Sequence, residues 1–208
     1  MYSRRNALDK NWRYKMYKAA INEIRKKQYT VDTVEEAART IYNVQAEGVP
    51  VKIIEICQKM GFSIFKQELP EDICGYIVID GELKEKFATD RIISVNEEES
   101  NKRRRFTVAH ELAHFLFDFD PANNIRFYNA FEHDHEEKDD SNEKRANRFA
   151  AELLMPKNEF IEKYNEMYEK HSGSSEQLYE TVQELSDLFL VPPKAVELRI
   201  KKELGLHE

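Results

Sequence analysis

His110-Glu111-Leu112-Ala113-His114 places two imidazoles four residues apart, with a carboxylate beside the first. On a helix, positions i and i+4 lie one above the other, so both rings can reach one divalent ion at about 2.0–2.1 Å. Glu111 stands a step round the helix, which suits it to take a proton from a water rather than to bind the ion. Such an ion lowers the pKa of its water from about 15.7 toward 7 and so supplies a nucleophile at neutral pH. Leu112, Ala113, Phe115, Leu116 and Phe117 make the segment apolar on several faces, as in a buried helix. Two buried imidazoles and a carboxylate are unfavourable there unless a metal or a dense hydrogen-bond network compensates them. Core histidines bonded to backbone carbonyls are the plainer alternative.

A two-histidine site that keeps one position for water needs a third protein ligand. In the stretch 141–156, Ala146, Phe149, Ala150, Leu153 and Leu154 recur at helical spacing and Pro156 ends the pattern. On this helix Glu143 shares a side with Ala146, Asn147 and Ala150, whose short side chains permit close approach to the first helix. Asn147, four residues beyond Glu143, is placed to accept a hydrogen bond from the outer N–H of a ligating histidine. Glu152 and Cys74 are the competing donors. Glu143 also suits a first helical turn for a plainer reason, because the helix dipole favours an acid there.

The segments RRFTVAHELAHFLF (104–117) and EKRANRFAAELLMP (143–156) together resemble the ImmA/IrrE family of zincin-like metallopeptidases. The runs Cys74-Gly75-Tyr76-Ile77-Val78-Ile79 and Arg91-Ile92-Ile93-Ser94-Val95-Asn96 are similar to the strands that lead into that family's metal helix, and the likeness spans roughly residues 45–200. The resemblance implies Zn²⁺ held by His110, His114 and Glu143, with Glu111 as the catalytic glutamate. It implies a zinc-dependent endopeptidase that relieves repression by cleaving a helix-turn-helix repressor, typically one of a phage or another mobile element. A non-cleaving zinc-containing regulatory protein that binds a transcription factor is the alternative. Two departures stand out: Ala113 occupies a position where many relatives have Gly, and the loop from Asp118 to Ser141 is long and acidic, which bears on substrate access.

The expected fold class is α+β and zincin-like, a small β-sheet packed beside the HExxH metal helix within a mainly helical domain. Residues 1–156 are expected to hold the N-terminal helices, the sheet and the metallopeptidase core, and residues 157–208 a helical extension packed on it. Helical periodicity covers 8–28 and 33–45, with Trp12, Met16, Ala19, Ala20 and Ile24 on one stripe of the first, and a short helix runs from Val51 to Met60. Strands are predicted from Phe62 to Phe65 and over 74–79 and 91–96, with 76–79 or 92–95 as the edge able to hold a substrate backbone. Within the 118–141 loop, Tyr128 and His133 are candidate oxyanion donors. His133 and His135 also alternate with acids, as in a weak second metal site or a lid. Further helices are expected over 158–169, 176–188 and 194–204.

The net charge of −7, from 32 Lys and Arg against 39 Asp and Glu, argues against a general nucleic-acid coat. Lys102-Arg103-Arg104-Arg105 is the strongest basic run and is read as solvent-facing or structurally paired, with anchoring of a substrate carboxylate as the alternative; Arg105 is the one to watch, because its neighbours turn inward. The span 185–199 superficially resembles two helices joined by a turn. A DNA-reading pair needs a basic second helix, and Val196, Leu198 and Ile200 read equally well as packing residues beside Lys194, Arg199 and Lys201. Cys57 and Cys74 suggest no disulfide framework. With no apolar signal core at the N-terminus and no membrane-length apolar stretch, a cytoplasmic protein is expected, without membrane or direct nucleic-acid partners.

Overall fold

The structure, a computed structural model, describes residues 2–45, 48–122, 126–132 and 140–205. Its helices are α1 (Tyr2–Ile24), α2 (Val34–Gln45), α3 (Ile53–Lys59), α4 (Leu83–Phe87), α5 (Asn101–Phe117), α6 (Ser141–Leu154), α7 (Lys157–Lys170), α8 (Gln177–Phe189) and α9 (Pro193–Glu203). Strands β1 (Ser63–Gln67), β2 (Ile73–Asp80), β3 (Arg91–Asn96) and β4 (Arg126–Glu132) form one sheet in the order β1-β3-β2-β4. β1 runs parallel to β3, and β2 pairs antiparallel with both β3 and β4. The expected α+β, zincin-like arrangement is present, with the small sheet beside the HExxH helix and helices around both.

The position of the sheet edge corrects the sequence reading. Residues 76–79 and 92–95 have neighbours on both sides, so neither is free to take a peptide; among the described residues the edges are β1 and β4. β4 lies within the span read as loop. Its partner is β2, with Val78 opposite Tyr128 and Ile79 opposite Phe127, and that long-range pairing rather than local periodicity makes it a strand. Alternation then puts Phe127, Asn129 and Phe131 on one face and Tyr128 on the other.

α5 lies against the inner strands, and Gly75 is required where they meet. A Cβ built there would stand 2.6 Å from the Ser94 carbonyl oxygen and 2.6 Å from Thr107 Cγ2. The helix starts cleanly because Ser100 Oγ accepts from the Arg103 amide at 3.1 Å, satisfying one unpaired N–H of the first turn. Asp140 caps α6 in the same way, accepting from the Asn142 amide at 2.8 Å. α5 and α6 then pack directly, burying Ala109, Leu112 and Ala113 of one and Ala146, Phe149 and Ala150 of the other.

The basic run forms the first turns of the metal helix and is structural. Arg105 donates to the carbonyls of Val51 (2.6 Å) and Leu190 (3.2 Å), and Lys102 donates to Ser186 Oγ at 2.8 Å and pairs with Asp187 at 2.6 Å. These bonds tie the start of α5 to α3 and α8. In α1 the buried stripe is Tyr17, Ala20, Ile21 and Ile24, whereas Trp12 and Met16 are exposed; only the C-terminal half of the expected stripe meets the core. One apolar cluster extends from Tyr17 in α1 to Ile200 in α9. Among the described residues no helix is long and apolar enough to cross a membrane.

Candidate metal centre

Three side chains converge where α5 and α6 pack. His110 Nε2 and His114 Nε2 are 2.9 Å apart, and the Glu143 carboxylate lies 3.0 Å from the first and 3.3 Å from the second. Donor atoms about 2.0–2.2 Å from a tetrahedral ion stand roughly 3.3–3.6 Å from one another. The observed separations therefore need to open by only a few tenths of an ångström to fit one. Glu152 and Cys74 take no part in this cluster. The Glu152 carboxylate is held by Arg148 at 2.8 Å and by Arg199 and Lys202, and Cys74 Sγ accepts from Arg103 Nη2 at 3.3 Å.

The outer nitrogens of both imidazoles are held. His110 Nδ1 is 2.9 Å from Asn147 Oδ1, the contact expected from the α6 spacing. His114 Nδ1 lies 2.6 Å from Asp118 Oδ2, and Arg145 clasps the other oxygen of that carboxylate. Each contact orients a ring with Nε2 directed into the cluster and fixes the tautomer that leaves that nitrogen free to bind a cation. Phe131 stacks on His110 with ring centroids 3.8 Å apart, so the edge strand contributes one wall. Asp118 and Phe131 were not anticipated as site residues. For Asp118 a signal was present, since it lies four residues beyond His114 on the same helical face.

Glu111 is fully buried, and neither carboxylate oxygen has a hydrogen-bond partner among the described residues. Burial pushes its carboxyl up to about 8, against the opposing influence of His114. Burial also lowers His110 to about 4, although hydrogen bonding to Glu143 works the other way. For His114 burial is outweighed by the Asp118 and Glu143 carboxylates, which raise it to about 9. Burial disfavours ionised Glu143, yet its bonds to the two histidines hold it far below the usual carboxylate range. An ionised carboxylate and two imidazoles converging in a dry site form a donor set suited to a divalent cation. An otherwise unpartnered buried carboxylate beside that set has a use if it handles protons.

Tyr128 is 65% exposed and lies on the face of β4 away from Phe131, which removes it as an oxyanion donor in this arrangement. His133 and His135, with the acids around them, fall outside the described residues. The two-helix reading of 185–199 is met by α8 and α9, but Arg199 is 1% exposed and its partners are Glu152 and Glu203, so it cannot read DNA.

Residues 57–201 match the peptidase family described as the IrrE N-terminal-like domain. No curated protein matches the chain. A solved Mycobacterium tuberculosis transcriptional regulator shares the fold, with a TM-score of 0.54 at 15% identity over 88% of this chain and 51% of that one. The present chain thus spans about half the length of that protein.

Proposed function

The chain belongs to the IrrE N-terminal-like peptidase family, and we propose that it is a zinc-dependent endopeptidase whose substrate is a helix-turn-helix repressor of a phage or another mobile element. The observation that carries the peptidase reading is the convergence of His110, His114 and Glu143 beside the unpartnered carboxylate of Glu111. The repressor substrate rests on the resemblance of the two helical motifs to the ImmA/IrrE peptidases.

In this reading His110, His114 and Glu143 hold the ion. When bound, zinc polarises the scissile carbonyl and lowers the pKa of an attacking water. Glu111 accepts the proton of that water on a carboxylate oxygen and delivers it to the departing amine. Asn147 and Asp118 keep the two rings aimed. The outer edge of β4 takes the substrate backbone by strand addition, in place of the inner strands expected from the sequence. Residues 1–156 form the peptidase core, residues 157–208 form a helical extension on it, and the protein works in the cytoplasm.

The test is the intact mass of a candidate repressor after incubation with the zinc-loaded protein, with a chelator control and a Glu111→Gln variant. Chelator-sensitive fragments from the parent alone, with zinc content retained in Glu111→Gln, are the expected result. Equal cleavage by parent and variant would overturn the role of Glu111. A stable complex whose components keep full mass would overturn cleavage itself.

A further inference from the structure

A pocket of about 190 Å³ opens between α1, the end of α3, the start of β3 and the last turn of α5. Lys18, Arg25, Lys59 and Arg91 line it with Asn22 and Tyr14 beside them, and no carboxylate lies among the described lining residues. Two acids reach members of this set: Glu55 is 3.5 Å from Lys59, and Asp90 is 3.3 Å from Arg91 Nε. Lys18 is exposed and has no partner among the described residues. The undescribed residues that precede Arg126 at this end of the sheet, Asn123, Asn124 and Ile125, carry no acid. The acidic run 133–139 follows Glu132, which pairs with Ile73 at the opposite end of β2 from Ile79, the partner of Arg91. In α1, position 9 falls in line with 16 and 23, across the helix from 18 and 25.

Both guanidiniums rest against one ring, Arg25 Cζ 4.4 Å and Arg91 Cζ 5.3 Å from the centre of Phe115. Each also serves a helix end. Arg25 Nη2 donates to the Phe115 carbonyl at 2.7 Å, in the last turn of α5, and Arg91 Nη1 donates to the Met60 carbonyl at 3.1 Å, just past α3. Those bonds satisfy carbonyls that a helix end leaves open, and they account for one donor of each guanidinium. Arg25 Nη1 and Arg91 Nη2 have no hydrogen-bond partner among the described residues. Burial first, and Arg91 second, lowers the Arg25 pKa below its usual value, and Asp120 offsets them only in part. Two like charges held over one ring, with two lysines beside them, repel one another unless an anion joins them.

We propose that this pocket is a second ligand site, which binds the phosphoryl dianion of a small molecule between Arg25 and Arg91, with Lys18 and Lys59 facing its outer oxygens. Guanidinium forks match the oxygens of a phosphoryl group, and a dianion answers the charge of the lining better than a single carboxylate does. The pocket has room for a small head group rather than for a run of nucleic-acid backbone. The site uses none of the proposed metal ligands and does not depend on the peptidase reading. It lies at the end of the metal helix, because Phe115, whose carbonyl Arg25 holds, directly follows His114.

The experiment is isothermal titration calorimetry of the full chain, zinc-loaded and again after chelation, with inorganic phosphate, pyrophosphate, AMP and acetate at matched ionic strength. At least one of the three phosphoryl probes should bind saturably at one site per chain, with acetate at least about tenfold weaker and with the same affinity after chelation. Preference for phosphate or pyrophosphate would identify an inorganic ligand, and preference for AMP a phosphate ester. Lys18→Glu, at an exposed position that bonds to nothing described, should weaken binding about threefold and leave the melting temperature unchanged. Arg91→Lys keeps the charge but loses the fork, and should weaken binding about tenfold. No saturable binding up to about 10 mM of any phosphoryl probe, acetate bound as tightly as phosphate, binding lost on chelation, or an affinity unmoved by both variants would each overturn the proposal.

Discussion

Asp118→Ala should weaken zinc binding more than Asn147→Ala does, although neither residue is a proposed ligand. Asp118 Oδ2 lies 2.6 Å from His114 Nδ1, and Asn147 Oδ1 lies 2.9 Å from His110 Nδ1. A carboxylate acceptor makes a hydrogen bond roughly twice as strong as a neutral amide does. Removal of an outer partner of a ligating histidine lowers metal affinity by about 10–100-fold, or roughly 1.4–2.7 kcal/mol. The carboxylate should fall near the upper end, close to about 100-fold, and the amide near about 10-fold. Asp118→Asn, which keeps an acceptor without the charge, should fall between them. Arg145 is not stranded by the change, since it still donates to the Tyr29 carbonyl at 3.2 Å and to Asn142 Oδ1 at 2.9 Å. The loss should therefore register at the metal rather than as unfolding. Competition against a chromophoric chelator measures the affinities, and circular dichroism verifies the fold. Affinities within about twofold of the parent for both alanine variants, or the reverse order, would refute the argument that these contacts orient the rings.

Gly75→Ala should destabilise the fold by about 1–3 kcal/mol in urea unfolding, because its Cβ would meet the Ser94 carbonyl at 2.6 Å; an unchanged midpoint would show that β3 can withdraw. Arg199→Met should destabilise by about 3 kcal/mol, the low end for breaking a buried pair, because Arg148 and Lys202 still reach Glu152. Its zinc content should match the parent, and metal loss would instead tie Glu152 to the site. Glu143→Ala should abolish stoichiometric zinc binding, whereas retention of one tight zinc per chain would send the search for a third ligand elsewhere.

What could be read from the sequence was what local periodicity encodes. His110 and His114 share a helical face by spacing alone, and the 91–96 strand coincides with β3 because Ile92, Ile93 and Val95 leave little other use for the run. Asn147 emerged through the same logic, one turn from Glu143. β4 was missed because Arg126–Glu132 carries too little β-pattern to stand apart from its acidic surroundings, and only pairing with β2 makes it a strand. The choice of edge strand failed with it. Once a fourth strand covers β2, neither inner strand has free backbone groups, so an error over one element moved the proposed substrate seat by a whole strand.

The same distinction explains α9. Its sequence mixes Lys194, Arg199 and Lys201 with Val196, Leu198 and Ile200, a pattern that packing and nucleic-acid reading share. Burial separates the roles: Val196 and Ile200 enter the core, Arg199 is drawn inward by Glu152, and Lys194 and Leu198 are exposed. Arg199 thereby fastens α9 to α6 through the Glu152 carboxylate, a long-range partner that local spacing in the sequence does not mark. Because Glu152 and Asn147 belong to one helix, the element that holds α9 in place also orients His110, and α6 couples the C-terminal helices to the metal centre.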